Sequence, residues 1–248
     1  MKRKTRIIVA ALYSELAVIC AALAVAGGLP AKLLAQKRFD NLNYTAADYP
    51  YADLTVTADY ITVTLNGMTL RVSPDMYRKS SDPQTVDSTI FISDSGRNQY
   101  VQIPCPTDLG EPELGNTGTP AADRPIQRFA KRVIGRQLRS WYDYYDILYS
   151  LNAESCSIHS LTGSKTFYEI AALKEETLPC FRQTWSFQCD SGKGFLNLLR
   201  TPETDPEHPQ YSVLLTLHPF GSENTVQTAV ITDDSLEACC AIANSVIL

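Results

Sequence analysis

The chain carries no C-x-x-C pair, no H-E-x-x-H and no G-x-S-x-G. Each absence removes a chemistry. Without thiols at that spacing, neither a zinc ribbon nor a thioredoxin-like redox site is signalled. Without two histidines one helical turn apart there is no zinc-protease motif, and without the glycine-flanked serine there is no nucleophile elbow. Ser164 and Lys165 are adjacent, so they do not form the Ser-x-x-Lys of penicillin-binding enzymes, which needs about one helical turn between them. Gly192-Lys193-Gly194 is too short for a phosphate-binding loop and reads as a β-turn. Histidine is scarce: His159, His208 and His218 are the only three. They show no carboxylate cluster around them and read as surface or hydrogen-bonded residues. No internal repeat or low-complexity tract appears, and no cofactor site is signalled.

What is present begins with an apolar run. Residues 7–29 read IIVAALYSELAVICAALAVAGGL, with Lys2, Arg3, Lys4 and Arg6 ahead and Lys32, Lys37 and Arg38 behind. A helix crossing a bilayer core about 30 Å thick needs about 20 such residues. Glu15 is the one charge inside the run, and the surrounding leucine, isoleucine and valine outweigh its cost of about 3 kcal/mol. The expected topology is a type II signal-anchor: residues 1–29 hold a short basic cytoplasmic tail and one span over 7–29, followed by a juxtamembrane linker over 30–52 and an extracytoplasmic domain over 53–248. Two alternatives stay open. Ala24-Val25-Ala26 is an A-x-A-like cleavage site, and Leu16-Ala17-Val18-Ile19-Cys20 approximates a lipoprotein signal, although Ile19 is not small.

Charge divides unevenly. The first 38 residues hold seven Lys/Arg and one Glu of the chain's 22 and 27, leaving 15 basic and 26 acidic residues, net −11. An acidic domain is not a general nucleic-acid binder. Outside the apolar run lie Cys105, Cys156, Cys180, Cys189, Cys239 and Cys240. In an exported domain these allow three disulfides. Cys180 and Cys189 flank the run FRQTWSFQ and are the candidate pair, against the objection that a straight strand holds them too far apart. Cys239 and Cys240 read as small core residues of a closing helix.

Strand patterns dominate from Asp53 onward. Ile61–Leu65 alternates, Asn66-Gly67 is the preferred type I′ turn, and Met68–Val72 resumes the alternation. A second hairpin pairs 89–92 with 100–103, and residues 107–122 form a Gly/Pro-rich loop. Asp123 then caps a helix whose apolar positions recur from Ile126 to Leu148, and a second helix spans roughly 164–176. Strands follow at 184–188, 194–199, 211–217 and 226–232, before Asp233-Asp234-Ser235 caps the last helix. This order makes an α+β domain on an antiparallel sheet built from β-hairpins with flanking helices.

The hairpin ITVTLNGMTLRVSPDM, the central helices, the strands around GKGFLNLL and YSVLLTLHPF, and the ending TDDSLEACCAIANSVIL resemble a group of uncharacterised bacterial membrane-anchored proteins. The resemblance implies a PsbP-like α/β/α sandwich for their extracytoplasmic domain. It brings no catalytic residues to this chain.

Three constellations are candidates for function. Arg124, Arg128, Lys131, Arg132, Arg136 and Arg139 occupy sixteen residues without an acid, and on a helix they fall within a sector of about 140°. They form a candidate anion-binding face for lipid headgroups or an anionic envelope component. Cys156 and His159, three apart, are the thiol–imidazole pair of an alternative reading as an envelope hydrolase or thiol-dependent enzyme. The tyrosines of 142–149 suggest a sugar-stacking cluster, with Trp141, Tyr145 and Leu148 as the buried side of the same helix. The leading expectation is a non-catalytic binding or accessory protein whose partners are the bilayer through 7–29 and an anionic envelope component or membrane protein.

Overall fold

The Asn66-Gly67 turn folds as its sequence dictates. Both residues take positive φ, 52° and 79°, the type I′ geometry that joins β2 (Ile61–Leu65) to β3 (Met68–Val72). The tip is fastened from both sides. Asn66 Nδ2 donates to the Ile103 carbonyl at 2.9 Å, and Gln227 Nε2 donates to the Asn66 carbonyl at 3.3 Å.

The computed structural model describes residues 13–19, 29–79, 88–93, 99–108, 138, 140–153, 161–178, 180–200, 210–222 and 225–248. The chain divides into two compact units. One comprises Met1–Tyr44, Pro120–Gln137 and Leu151–Glu176; the other comprises Thr45–Thr119, Leu138–Ser150 and Thr177–Leu248. The division does not follow the linker–domain boundary read at residue 53.

The second unit holds the sheet. Its strands are β1 (Ala47–Asp48), β4 (Met76–Lys79), β5 (Ser88–Ser93), β6 (Tyr100–Pro104), β7 (Thr107–Asp108), β8 (Phe181–Cys189), β9 (Gly192–Leu199), β10 (Tyr211–Pro219) and β11 (Thr225–Asp233). They run in the order β1-β8-β9-β10-β11-β6-β5-β4, with β7 also on β11. Every pairing is antiparallel except the two-residue β1 beside β8. Gly192-Lys193-Gly194 opens β9 instead of forming the turn, which falls at 190–191. Gly194 has no room for a side chain, because a Cβ would lie 1.8 Å from the Thr216 carbonyl oxygen.

Successive strand residues face opposite sides, and the two sides differ. Trp185 and Phe187, Leu196 and Leu198, Val213, Leu215 and Leu217, and Ala229 and Ile231 form one apolar core with β3 and α4 (Leu236–Asn244). Ser235 caps α4, its hydroxyl accepting the Ala238 N–H at 3.2 Å. Cys239 and Cys240 are fully buried in that core, and burial pushes both thiols up, Cys240 to about 11.

Cys180 and Cys189 correct the expected disulfide. They stand at opposite ends of β8 as free thiols. A nine-residue strand separates its ends by roughly 25 Å at about 3.3 Å per residue, against the Cα separation of about 6 Å that a bridge requires.

Two helical expectations also change. Leu138 and Ser140 are not helical, and α2 runs from Trp141 to Ser150. Ser140 Oγ accepts the Asp143 N–H at 3.2 Å, a side-chain cap at the start of α2; residues 123–137 of the expected helix lie outside the described residues. In the stretch read as linker, Leu29–Arg38 is a helix, α1. Its Ala, Leu, Lys and Gln residues are strong helix formers. The buried positions Ala35, Phe39 and Leu42 keep helical spacing but straddle the helix end, so no stripe shows within it.

The first unit also contains α3 (Leu161–Thr177) up to Glu176, and this helix extends the expected 164–176. Among its described side chains, Phe167, Ile170, Ala171 and Lys174 are the buried ones. Residues 13–19 are helical and exposed. No helix among the described residues is long and apolar enough to cross a membrane, and of the apolar run only 13–19 and Leu29 are described.

Candidate functional site

The sheet face opposite the core carries the polar residues. On β10 the alternation that sends Leu215 and Leu217 inward sends Ser212, Thr216 and His218 to the other side. There Thr184 donates to Asn197 Oδ1 at 2.7 Å, and Ser212 and Thr232 share a hydrogen bond of 2.9 Å. Tyr142, Tyr145 and Tyr149, one helical face of α2, supply the aromatic cover. Tyr142 stacks on Phe195 with ring centroids 5.4 Å apart and planes 11° from parallel. Tyr149 meets the same ring edge-on at 4.7 Å.

His218 lies beneath this cover, 3% exposed, 5.8 Å from the Tyr142 ring and 6.2 Å from Tyr145. Neither of its ring nitrogens has a hydrogen-bond partner in the protein. Burial pushes the imidazole down to about 4, and the Lys193 ammonium pushes the same way from the facing position on β9. Lys193 is held by the Tyr142 ring, with its Nζ 3.9 Å from the centroid. The result at neutral pH is an uncharged imidazole with one donor and one acceptor that the protein does not use. This corrects the reading of His218 as a surface or hydrogen-bonded residue. It also rearranges the tyrosine cluster: Tyr144, Ile147, Leu148 and Tyr149 are the buried side of α2, while Trp141 and Tyr145 are half-buried.

A second buried titratable group lies on α3 of the first unit. Lys174 is fully buried, and its Nζ donates to the carbonyls of Leu42, at 3.2 Å, and Leu151. Burial lowers it to about 8. Its position on the apolar stripe after Phe167, Ile170 and Ala171 is the signal that sequence reading passed over. No comparable signal marked His218, whose strand parity with Ser212 and Thr216 suggests exposure.

On the same unit, Leu34, Lys37 and Arg38 of α1 and Tyr168 of α3 line an open cleft of about 540 Å³. Leu33 and Leu34 are 58% and 61% exposed. Arg38 lies over Phe39, its guanidinium carbon 5.4 Å from the ring centroid, and Phe39 in turn packs at 5.9 Å against Tyr168.

The basic stripe of Arg124, Arg128, Lys131, Arg132, Arg136 and Arg139 lies outside the described residues, as do Cys156, His159 and His208. Among the described residues, no group of three or more His, Cys, Asp or Glu is placed to hold a metal ion. Compared with known proteins, the chain matches no family model and no curated protein.

Proposed function

We propose that this chain is a membrane-anchored extracytoplasmic binding or accessory protein of the bacterial envelope, non-catalytic, held by a single span over residues 7–29. The observation that carries the reading is the surface of residues 13–19. Tyr13, Leu16, Val18 and Ile19 form part of a helix and are all exposed. Such a run of uncovered apolar side chains suits lipid better than water. The basic residues on both flanks suit the headgroup layers on either side.

The PsbP-like resemblance belongs to the same proposal, supported by the succession of hairpins, helices, long antiparallel strands and capped closing helix. So does the basic stripe over 124–139, as the contact with an anionic envelope component. The neutral His218 enclosure suits binding better than acid–base work. A base with its proton affinity depressed to about 4 accepts protons poorly at neutral pH.

The test is alkaline carbonate extraction of membranes from cells making the full chain, followed by protease treatment of spheroplasts. A chain that stays in the pellet and is digested from outside supports the reading. Release into the supernatant, or a mature N-terminus just after Ala26, removes it. Reversing Arg128, Arg132 and Arg136 should then reduce association with envelope polymers or anionic liposomes.

A further inference from the structure

We propose that the cleft between α1 and α3 is a seat for one anionic phospholipid headgroup, with Lys37 and Arg38 taking the phosphate and Leu34 and Tyr168 the glycerol and first acyl carbons. The proposal rests on the membrane-anchored reading, because α1 begins at Leu29, where the apolar run ends.

Three observations on the first unit converge. The cleft, at about 540 Å³, is of the size that takes a small ligand. Among the described residues its lining divides into an apolar part, Leu34 and the Tyr168 ring, and a cationic part, Lys37 and Arg38. That division matches a lipid headgroup joined to its glycerol. Among the described residues no ion pair engages either cation. Glu175 on α3 is engaged by Asn41: its Oε2 accepts the Asn41 N–H at 2.9 Å and its Oε1 accepts Asn41 Nδ2 at 3.1 Å.

The alternative for Lys37 and Arg38 is to complement the negative end of the α1 dipole, where both lie in the last turn. That role places cations at the helix end but does not call for exposed leucines beside them. Leu33 and Leu34 are the two largest apolar side chains described on α1, and both face out. On a helix joined to a membrane span, exposed leucines next to unpaired cations form an interfacial surface, apolar toward the acyl boundary and basic toward phosphate. Arg38 brings a planar fork of donors suited to phosphate oxygens, and the Phe39 ring beneath it limits its motion. The occupant that fits is therefore a phosphodiester lipid with net negative charge, such as phosphatidylglycerol.

The test uses the full chain with its own apolar segment, reconstituted in nanodiscs of phosphatidylcholine with and without phosphatidylglycerol. Native mass spectrometry counts the lipids retained after release. The expected result is that phosphatidylglycerol is retained in preference to phosphatidylcholine by about tenfold or more, as two basic contacts at an anionic surface imply. The Lys37→Glu/Arg38→Glu variant loses the preference, and Leu34→Asn weakens it. Both cations are exposed, and far-UV circular dichroism confirms that the variant keeps its fold. Equal retention by the wild type and the double variant overturns the proposal. Displacement by soluble glycerol phosphate at concentrations matching the lipid overturns it too, because the seat would then serve free phosphate. Carbonate extraction separates the two layers of inference. An integral chain without headgroup preference removes the cleft alone, whereas a chain that carbonate strips from the membrane removes the anchor and the cleft together.

Discussion

The two faces of the sheet solve the same problem with different chemistry. On one face Val213, Leu215, Leu217, Ala229 and Ile231 meet α4 and β3 with no exposed surface left. On the other, Ser212, Thr184, Asn197 and Thr232 are equally shut away from water, but each needs a partner within the protein. The first face is stabilised by area and shape, which tolerate no cavity, and its one described unmet acceptor is Gln227 Oε1 at the end of the run. The second is stabilised only while its donors and acceptors stay matched. His218 is where that matching is incomplete. Burial therefore means different things on the two faces: the apolar one leaves a single described acceptor, Gln227 Oε1, unmatched, whereas the polar one leaves a whole imidazole that the fold does not use.

That contrast can be broken first at its strongest point. Leu215→Ala, in the apolar face, is expected to cost about 3 kcal/mol by lost transfer energy and the cavity left behind, read as a lower denaturant midpoint at unchanged slope.

A smaller effect of opposite sign is expected at His218. Its folded-state value, about 4, lies below the ordinary 6.5, so the unfolded chain takes up the proton more readily. Its contribution to stability is complete above about pH 6.5 and is lost as pH falls toward 4, by about 3 kcal/mol in all. His218→Phe should abolish that slope between pH 6.5 and 4. At pH 7 it should raise stability by about 1 kcal/mol, because two unmet polar atoms leave the interior. Thermal melts of both proteins across the window decide the matter, and parallel curves would show that His218 is not the group titrating.

The smallest expected effect tests whether the polar face is matched in pairs. Ser212→Ala and Thr232→Val should each cost about 1 kcal/mol, and the double variant should cost less than the two together. A purely additive cycle would show that the hydrogen bond they share contributes nothing to stability.

Much of this architecture was legible in the residues. Asn66-Gly67 between two alternating runs specified its hairpin, since few sequences accept positive φ twice. The four long strands and the Ser235-capped helix were legible for a similar reason: period and cap coincide within one short segment. What escaped depended on partners distant in sequence. The two-residue β1 and β7 carry too few residues for a period. Helix α1 buries Ala35 while leaving Leu33 and Leu34 outside, which inverts the usual stripe. The His218 enclosure is assembled by α2, some seventy positions earlier in the chain, and no pattern within β10 announces it. Cys180 and Cys189 mark the converse error, because closeness in sequence suggested a bond that an extended strand forbids.

The place of β11 has a consequence for when this fold can form. Its neighbour β10 is joined to it by a hairpin, but its other neighbour is β6, where Val230 faces Gln102 across 128 positions. As the chain leaves the ribosome or a translocation channel, β4, β5 and β6 emerge as a meander without the strand that will seat them. Closing so long a loop is slow compared with forming a hairpin. Until β11 arrives, the open edge of β6 is available to any other strand, so the maturing chain is most exposed to aggregation between the emergence of its first hairpins and that of its last strand.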